Sequence, residues 1–448
     1  LALSDQHGGD AGDGGDAGFR VPVDAERLSL WIDGQPEADR KLLRAAIGLD
    51  RGDEPLSGPL AVGVAVSGGG DSIALLHLLA EATSFAGVRI EVATVDHRLR
   101  PEAAEEATFV ARLCAARNLT HQTLVWADHP ATGNLMQAAS EARRRLLAAW
   151  ARSRGLARVA MAHTADDQAE SFLMALARGS GLDGLCGMRG AWTEEGMDFI
   201  RPLLSVSRSE LRDYLRRHGH DWREDPTNDD DRFARARVRK AMQVLDGLDI
   251  NGRRLNETMR NLAEVRGLLD RTLAGFVEAH VNEQVGTVYV RRTSYLDLPM
   301  EIRRRFLSAI IRWMSGSRHA PRHDQLFALS MNIRDKHVAT LGGCIFMNDG
   351  EVIGILREPK AVQARVETSL VWDHRWQVDG PGGPGIEVGA LGEDGLRQCP
   401  DWRETGYARQ MLLVTPGVWH GDRLLAAPCA GLSAGWRVRL QRPFTFSR

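Results

Sequence analysis

Residues 60–66, LAVGVAV, form an unbroken apolar run that halts at three glycines and gives way, from Ile73 to Ala82, to helical spacing. An apolar run of this length suits a strand buried on both faces, as in a parallel sheet covered by helices. The alternation then repeats. Residues 88–97 (VRIEVATVDH), 121–126 (HQTLVW) and 157–163 (ARVAMAH) read as further strands, and helical patterns fill residues 102–117, 135–154, 166–178 and 207–218. Strands alternating with helices specify an α/β fold with right-handed crossovers. A Rossmann-like parallel-sheet domain is therefore expected over residues 56–245.

The flanks differ in character. Residues 1–55 are expected to be an N-terminal extension whose Gly/Asp-rich start, disordered to about residue 20, cannot bury enough apolar surface to offset ordering entropy. Within it residues 37–49 can form a short helix, and residues 55–59 read as a loop. Residues 246–355 carry two or three helical patterns and many arginines, as in a separate helical domain. Residues 356–448 hold short runs such as SLVWDHRWQV and MLLVTPGVW among Gly/Pro turns, as in a small β-rich C-terminal domain.

Composition narrows the function. A formal net charge of −2 gives no global field that draws nucleic acid, so RNA contacts must come from local patches. The five cysteines, Cys114, Cys186, Cys344, Cys399 and Cys429, form no C-x-x-C pair. That argues against a disulfide framework or a Cys-rich zinc or iron–sulfur site and fits a reducing compartment. No apolar stretch is long enough to span a bilayer and no signal-peptide pattern opens the chain, so no membrane partner and a cytoplasmic location are expected. The oligomeric state is open, and a homodimer is compatible with the sequence.

The sharpest local signal is Ser67-Gly68-Gly69-Gly70-Asp71-Ser72, between the first strand and its helix. Consecutive glycines admit unusual backbone angles and close approach, so main-chain N–H groups can converge on phosphate oxygens at a helix N-terminus. The hydroxyls of Ser67 and Ser72 can add hydrogen bonds, and Asp71 can hold a magnesium ion bridging phosphates. The bland alternative is a glycine-rich turn with no ligand. The loop has no Gly-Lys-Ser/Thr and is not G-x-G-x-x-G, so it is neither a Walker nor a dinucleotide loop.

SGGGDS resembles the PP-loop of the ATP-pyrophosphatases, which cut ATP between its α and β phosphates and transfer AMP to an acceptor. Four further stretches make the chain similar to the tRNA(Ile)-lysidine synthetases. They are VDHRLRPEAAEEA (residues 95–107), GNLMQAASEARRRLL (133–147), AHTADDQAESFLMALARGSGLDGLCGM (162–188) and REDPTNDDDRFARARVRK (223–240). LGGC at residues 341–344 adds a looser match to that family's substrate domain. The resemblance is strong over residues 60–245, loose over 250–345, and positional beyond. It implies ATP and Mg2+, free lysine, and an isoleucine tRNA with a CAU anticodon. The wobble cytidine is adenylated at O2 and then attacked at C2 by the lysine amine, giving lysidine.

The same resemblance implies the site. Asp167 and Glu170, three apart on a helix, share a face and would grip lysine, although an isolated D-x-x-E is usually a solvated helix face. Asp166 is the expected helix N-cap. Arg143 can steady phosphate or the activated base, while the run Arg143-Arg144-Arg145 suits a wet face equally well. His163, at a strand end where α/β sites collect, is the expected partner of these groups, with a structural histidine as the alternative; His97 is similar. Two basic concentrations, Arg235, Arg237 and Arg239, then Arg303 and Arg304 with Arg305, Arg312, Arg318 and Arg322, point to RNA backbone contacts or else to solvated faces. Ala236 stands where the family pattern has Asn. The rival expectations are tRNA thiolation on the same fold and a catalytically inactive, nucleotide-sensing RNA-binding protein.

Overall fold

The computed structural model describes residues 25–48, 61–86, 88–99, 102–130, 135–224, 234–317 and 319–446. The start expected to be disordered, the expected 55–59 loop, Gly133, Asn134, residues 225–233 and Arg318 lie outside them. The chain divides into two compact units, residues 1–264 and 265–448.

The first unit begins with helices α1 (Ala25–Asp33) and α2 (Glu37–Ile47), then β1 (Ala61–Ala65), α3 (Gly70–Ala86), β2 (Arg89–Asp96), α4 (Glu102–Ala116) and β3 (Thr120–Val125). It continues with α5 (Leu135–Ser153), β4 (Arg158–Met161), α6 (Ala165–Ala177), α7 (Leu182–Leu185), β5 (Ala191–Glu194) and β6 (Met197–Ile200). Helices α8 (Arg208–Arg217), α9 (Ala234–Asp246) and α10 (Gly252–His280) follow, the unit boundary falling within α10. The sheet order is β3-β2-β1-β4-β6-β5, parallel except for β5, which folds back on β6.

The expected buried strand is central. Val62 and Val64 of β1 are 1% and 0% exposed. Gly63 lets α5 approach closely: a Cβ there would lie 2.7 Å from Trp150 Cζ3. Helix α3 is apolar nearly all round because the sheet covers one side and α2 and α8 the other, leaving Ile73, Leu75, Leu76 and Leu79 fully buried. Each such side chain contributes about 1.5–3 kcal/mol. Residues 25–48 are not part of an extension. Leu28, Ile32, Leu42, Leu43 and Ile47 are buried in the same core, because α1 and α2 cover the outer face of α3. The β5–β6 hairpin also lacks a counterpart in the expected elements; its strands are four residues each, too short for a clear period.

The second unit carries more than helices. It holds β7 (Val281–Gln284), β8 (Thr287–Arg291), α11 (Arg292–Asp297), α12 (Met300–Ser315), α13 (His323–Asp335), β9 (Val338–Leu341), β10 (Cys344–Asn348) and β11 (Val352–Arg357). The strands form an antiparallel sheet, β7-β8-β11-β10-β9, against α12 and α13. The helical expectation for residues 246–355 is thus corrected to helices plus sheet: strands such as CIFMN and VIGILR alternate inward and outward residues, and Gly286, Gly342 and Gly343 turn the hairpins at positive φ.

The β-rich C-terminal expectation holds in β12 (Val366–Glu367), β13 (Trp376–Asp379), β14 (Ile386–Ala390), α14 (Gly392–Arg397), α15 (Arg409–Leu412), β15 (Pro416–His420), β16 (Arg423–Ala426) and β17 (Arg437–Leu440). These share one unit with residues 265–355. A buried ion pair, Arg357 Nη2 to Asp373 Oδ1 at 2.9 Å, ties β11 to the segment before β13, and Phe444 packs in the core around α12. Among the described residues no helix is long and apolar enough to cross a membrane.

Candidate active site

The C-terminal ends of β1, β2 and β4 deliver three segments to one edge of the sheet, where ligands of open α/β sheets bind. After β1 the chain turns through Gly68, whose φ of +91° disfavours any residue with a Cβ. The loop is braced from within: Ser67 N donates to Ser72 Oγ at 3.1 Å, and Ser72 Oγ donates to Gly69 O at 2.8 Å. A second brace comes from residue 223, whose N–H donates to Gly68 O at 3.0 Å. The loop stands at the start of α3, the positive end of the helix dipole, where the first N–H groups of a helix lack intrahelical acceptors.

Asp71, in the first turn of α3, accepts from Arg212 Nη1 at 3.0 Å on Oδ1 and from Arg208 Nε at 3.3 Å on Oδ2. Burial raises its pKa above the ordinary value against the pull of those two guanidinium groups. From the loop after β4, Thr164 and Asp167 form a capping box. Asp167 Oδ2 accepts from Thr164 N at 2.8 Å and from Thr164 Oγ1 at 3.0 Å, and its Oδ1 accepts from Arg208 Nη2. Thr164 is therefore the N-cap of α6, not Asp166, because only the residue before the helix can aim its hydroxyl back at the third N–H. Asp166 Oδ2 instead accepts from Arg208 N at 2.8 Å, at the start of α8.

Glu170, one turn on, is 2% exposed. Its Oε1 accepts from Arg208 Nη1 at 2.6 Å and Arg239 Nε at 2.7 Å, while its Oε2 is buried with no hydrogen bond and has Arg235 Nε at 4.0 Å. One guanidinium thus bridges Asp71, Asp167 and Glu170. Burial alone would lower the pKa of Arg208, but the facing carboxylates of Asp167 and Glu170 hold it above the ordinary value. Burial opposes ionisation of Asp167, yet the Arg208 charge and the Thr164 N–H keep its carboxyl below the usual range. A cleft of about 1120 Å³ opens beside Glu170, Arg208 and Arg239, with Met188, Met242 and Met259 in its lining.

His163 accepts at Nδ1 from Arg201 Nε at 3.1 Å, and Arg201 lies over the Trp192 ring at 3.8 Å. Burial, with the Arg201 charge beside it, pushes His163 down to about 4, so the imidazole is neutral near pH 7. Arg143 is exposed on α5, with Nη2 3.4 Å from His97 Nε2. His97 is likewise pushed down to about 4 by burial and by Arg143.

A family model described as a PP-loop domain matches residues 48–245. A tRNA(Ile)-lysidine synthase of Ruegeria pomeroyi is 42% identical over 386 residues, covering 86% of this chain and 92% of the relative. This chain belongs to the tRNA(Ile)-lysidine synthase family. A second member, from Wolbachia pipientis, is 31% identical over 379 residues, covering 82% of this chain and 88% of that one. Among solved structures, the U34-tRNA thiolase NcsA of Methanococcus maripaludis aligns with a TM-score of 0.44 at 18% identity, over 51% of this chain and 78% of its own. That likeness is too slight to argue from.

Within this family frame, the structure brings together the loop, Asp71, Asp167, Glu170, Arg235 and Arg239. Arg237 is exposed on α9, and Ala236, in the family's Asn position, is buried where α9 packs on α6. Arg303 and Arg304 do not lie free on a surface: Arg303 Nε donates to Leu298 O at 2.9 Å, and Arg304 Nη2 donates to Glu301 Oε1 at 2.6 Å. Arg305, counted in the same basic concentration, turns inward, 7% exposed, to Asp270 at 3.2 Å and Glu301 at 2.9 Å. Arg201, Arg208 and Arg212 carry no motif that marks them. The one available signal was Ser207 three residues before Glu210, a capping box that starts a helix with arginines four apart on one face.

Proposed function

We infer that the chain ligates lysine to C2 of the wobble cytidine of an isoleucine tRNA with a CAU anticodon, forming lysidine while ATP becomes AMP and pyrophosphate. The observation that carries this is the bridge of one guanidinium across Asp71, Asp167 and Glu170. It means that a cation-binding set of carboxylates lies directly against the phosphate loop. An enzyme that must bring an ammonium group to an adenylated base needs that juxtaposition.

Amides of residues 67–72 cradle the triphosphate, and the cytidine O2 attacks the α-phosphorus. Among the described residues no three His, Cys, Asp or Glu side chains gather as a ready metal cage. Asp71 still fits Mg2+, which commonly takes one or two carboxylates and completes its shell with phosphates and water. When bound, Mg2+ neutralises phosphate charge. Lysine binds in the cleft with its ammonium toward Asp167 and Glu170, and the buried Glu170 Oε2, which accepts no hydrogen bond, supports that placement. The ε-amine has a reference pKa of ~10.4, so making it neutral at pH 7 costs roughly 4–5 kcal/mol. Facing carboxylates stabilise the ammonium, so their work is to bind and orient it, and one accepts a proton as attack proceeds. Neutral His163 and Arg143 line the base side.

Arg235, Arg237, Arg239, Arg303 and Arg304, with residues 246–355 as substrate domain and 356–448 as C-terminal domain, serve the tRNA. The location is the cytoplasm, and a homodimer remains compatible. Thiolation fits poorly: burial pushes the Cys114 thiol up to about 11 and those of Cys344 and Cys429 up to about 12, far from thiolate reactivity.

The test is incubation with ATP, Mg2+, unmodified tRNA bearing CAU, and radiolabelled lysine. Label entering the tRNA with stoichiometric AMP is expected. Sulfur-dependent modification, or RNA binding without AMP, overturns the reading.

A further inference from the structure

Adenylation leaves a pyrophosphate group carrying new negative charge, and the loop itself holds no cation to meet it. Its one charged side chain, Asp71, is acidic. Helix α8 supplies what the loop lacks. Arg208 and Arg212, four apart, share the face turned toward the N-terminus of α3. Arg208 is committed to three carboxylates. Arg212 lies over the loop itself: a Cβ built on Gly70 would collide with its Nη1 and Cζ. The guanidinium therefore rests against the backbone of the residue that opens α3, beside the amides proposed to hold phosphate.

Its placement is built. Nη1 is anchored by Asp71 Oδ1 at 3.0 Å and Nε has Glu224 Oε1 at 3.8 Å. The Trp222 ring lies 5.4 Å from its Cζ, and the side chain is only 22% exposed. Residues 222 and 224 are brought there by residue 223, which bridges to Gly69 and donates its N–H to Gly68 O. Loop, tryptophan and arginine form one assembly.

We propose that Arg212 is a catalytic residue that binds the departing pyrophosphate. As the cytidine O2 forms its bond to the α-phosphorus, the bond from that phosphorus to the bridging oxygen breaks and its electron pair stays on the oxygen. Pyrophosphate leaves with the added charge, and the Arg212 N–H groups take it up; preorganised donors of this kind act where charge develops. Gly70 is glycine in this chain because the guanidinium occupies the space a side chain would fill.

The inference rests on the proposed reaction, and the two fail separately. If the wild type releases no pyrophosphate with CAU tRNA, the reaction is wrong. If it does, Arg212→Gln should lower pyrophosphate release roughly 10²–10³-fold, leave the KM for lysine unchanged, and recover partly as Arg212→Lys. Gly70→Ala, whose methyl displaces only the far end of the arginine, should also weaken binding of pyrophosphate alone about tenfold by calorimetry. In the Arg212→Gln background it should cost much less. Arg212→Gln within threefold of wild type, or unaltered pyrophosphate affinity in both Arg212→Lys and Gly70→Ala, overturns the proposal.

Discussion

Arg208 Nη1 lies 2.6 Å from Glu170 Oε1, and the same guanidinium reaches across to Asp71 Oδ2 at 3.3 Å, so the carboxylates of α3 and α6 are held to one cation on α8. The first turns of these three helices meet there. Their positive ends favour the acidic side chains gathered among them. Arg208→Gln should leave Asp167 and Glu170 facing each other with less compensation and lower stability by about 3 kcal/mol, read by urea denaturation. A loss below about 0.5 kcal/mol would mean that Arg239 and Arg235 already suffice.

Asp71→Asn should cut pyrophosphate release more than about 100-fold while tRNA affinity holds, because Asp71 lies against the phosphate loop and outside the arginines assigned to the tRNA. Near-normal release by the variant would remove Asp71 from the chemistry.

Glu170→Gln keeps shape and hydrogen bonding but loses charge. It should raise the KM for lysine by about tenfold or more, equivalent to ~1.4 kcal/mol or more, with AMP transfer to tRNA little changed. Unchanged lysine dependence would place the ammonium elsewhere.

His77 is 3% exposed, stacks on His220 at 3.6 Å, has neither ring nitrogen hydrogen-bonded, and is pushed down to about 3 by burial. Unfolded histidine titrates near ~6.5, so between about 3 and 6.5 the unfolded chain holds the extra proton. Stability is full above that window and drains as pH falls through it, by at most ~1.4 kcal/mol per pH unit for one proton. Urea midpoints at pH 7.5 and 5.5 should converge in His77→Leu relative to wild type. Equal pH sensitivity in both proteins would refute the assignment.

Arg237→Ala and Arg304→Ala should each weaken tRNA binding and reduce the slope of log affinity against log salt by about one. A residue whose removal leaves the slope intact is not on the tRNA surface. Arg304 is the sharper test, since Glu301 already holds its guanidinium.

The sheet and its helices were legible because buried strands such as β1 and helices such as α6 leave strong local periods. SGGGDS was legible from its place between an apolar strand and a helix, and DDQAE only through its resemblance to the family's block, since a carboxylate pair at that spacing is by itself usually a solvated face. What escaped notice depends on partners distant in sequence. Helix α1 is nine residues whose burial of Leu28 and Ile32 is decided by α2 and α3, and the sheet of the second unit lay hidden behind arginine-rich helices. Arg208 and Arg212 look like surface charge on α8 until the fold brings them to Asp71, well over 100 positions earlier in the chain.

Asp167 spends one oxygen on Thr164, as part of the cap that begins α6. A carboxylate anchored in this way swings toward a ligand only by giving up its bonds to Thr164, at a cost of about 1 kcal/mol for a lost helix cap. The proposed amine pocket therefore measures its guest against a fixed post. Ornithine, one methylene shorter than lysine, meets acceptors that do not lean out to greet it, and competition between the two diamino acids would show how strictly that ruler is read.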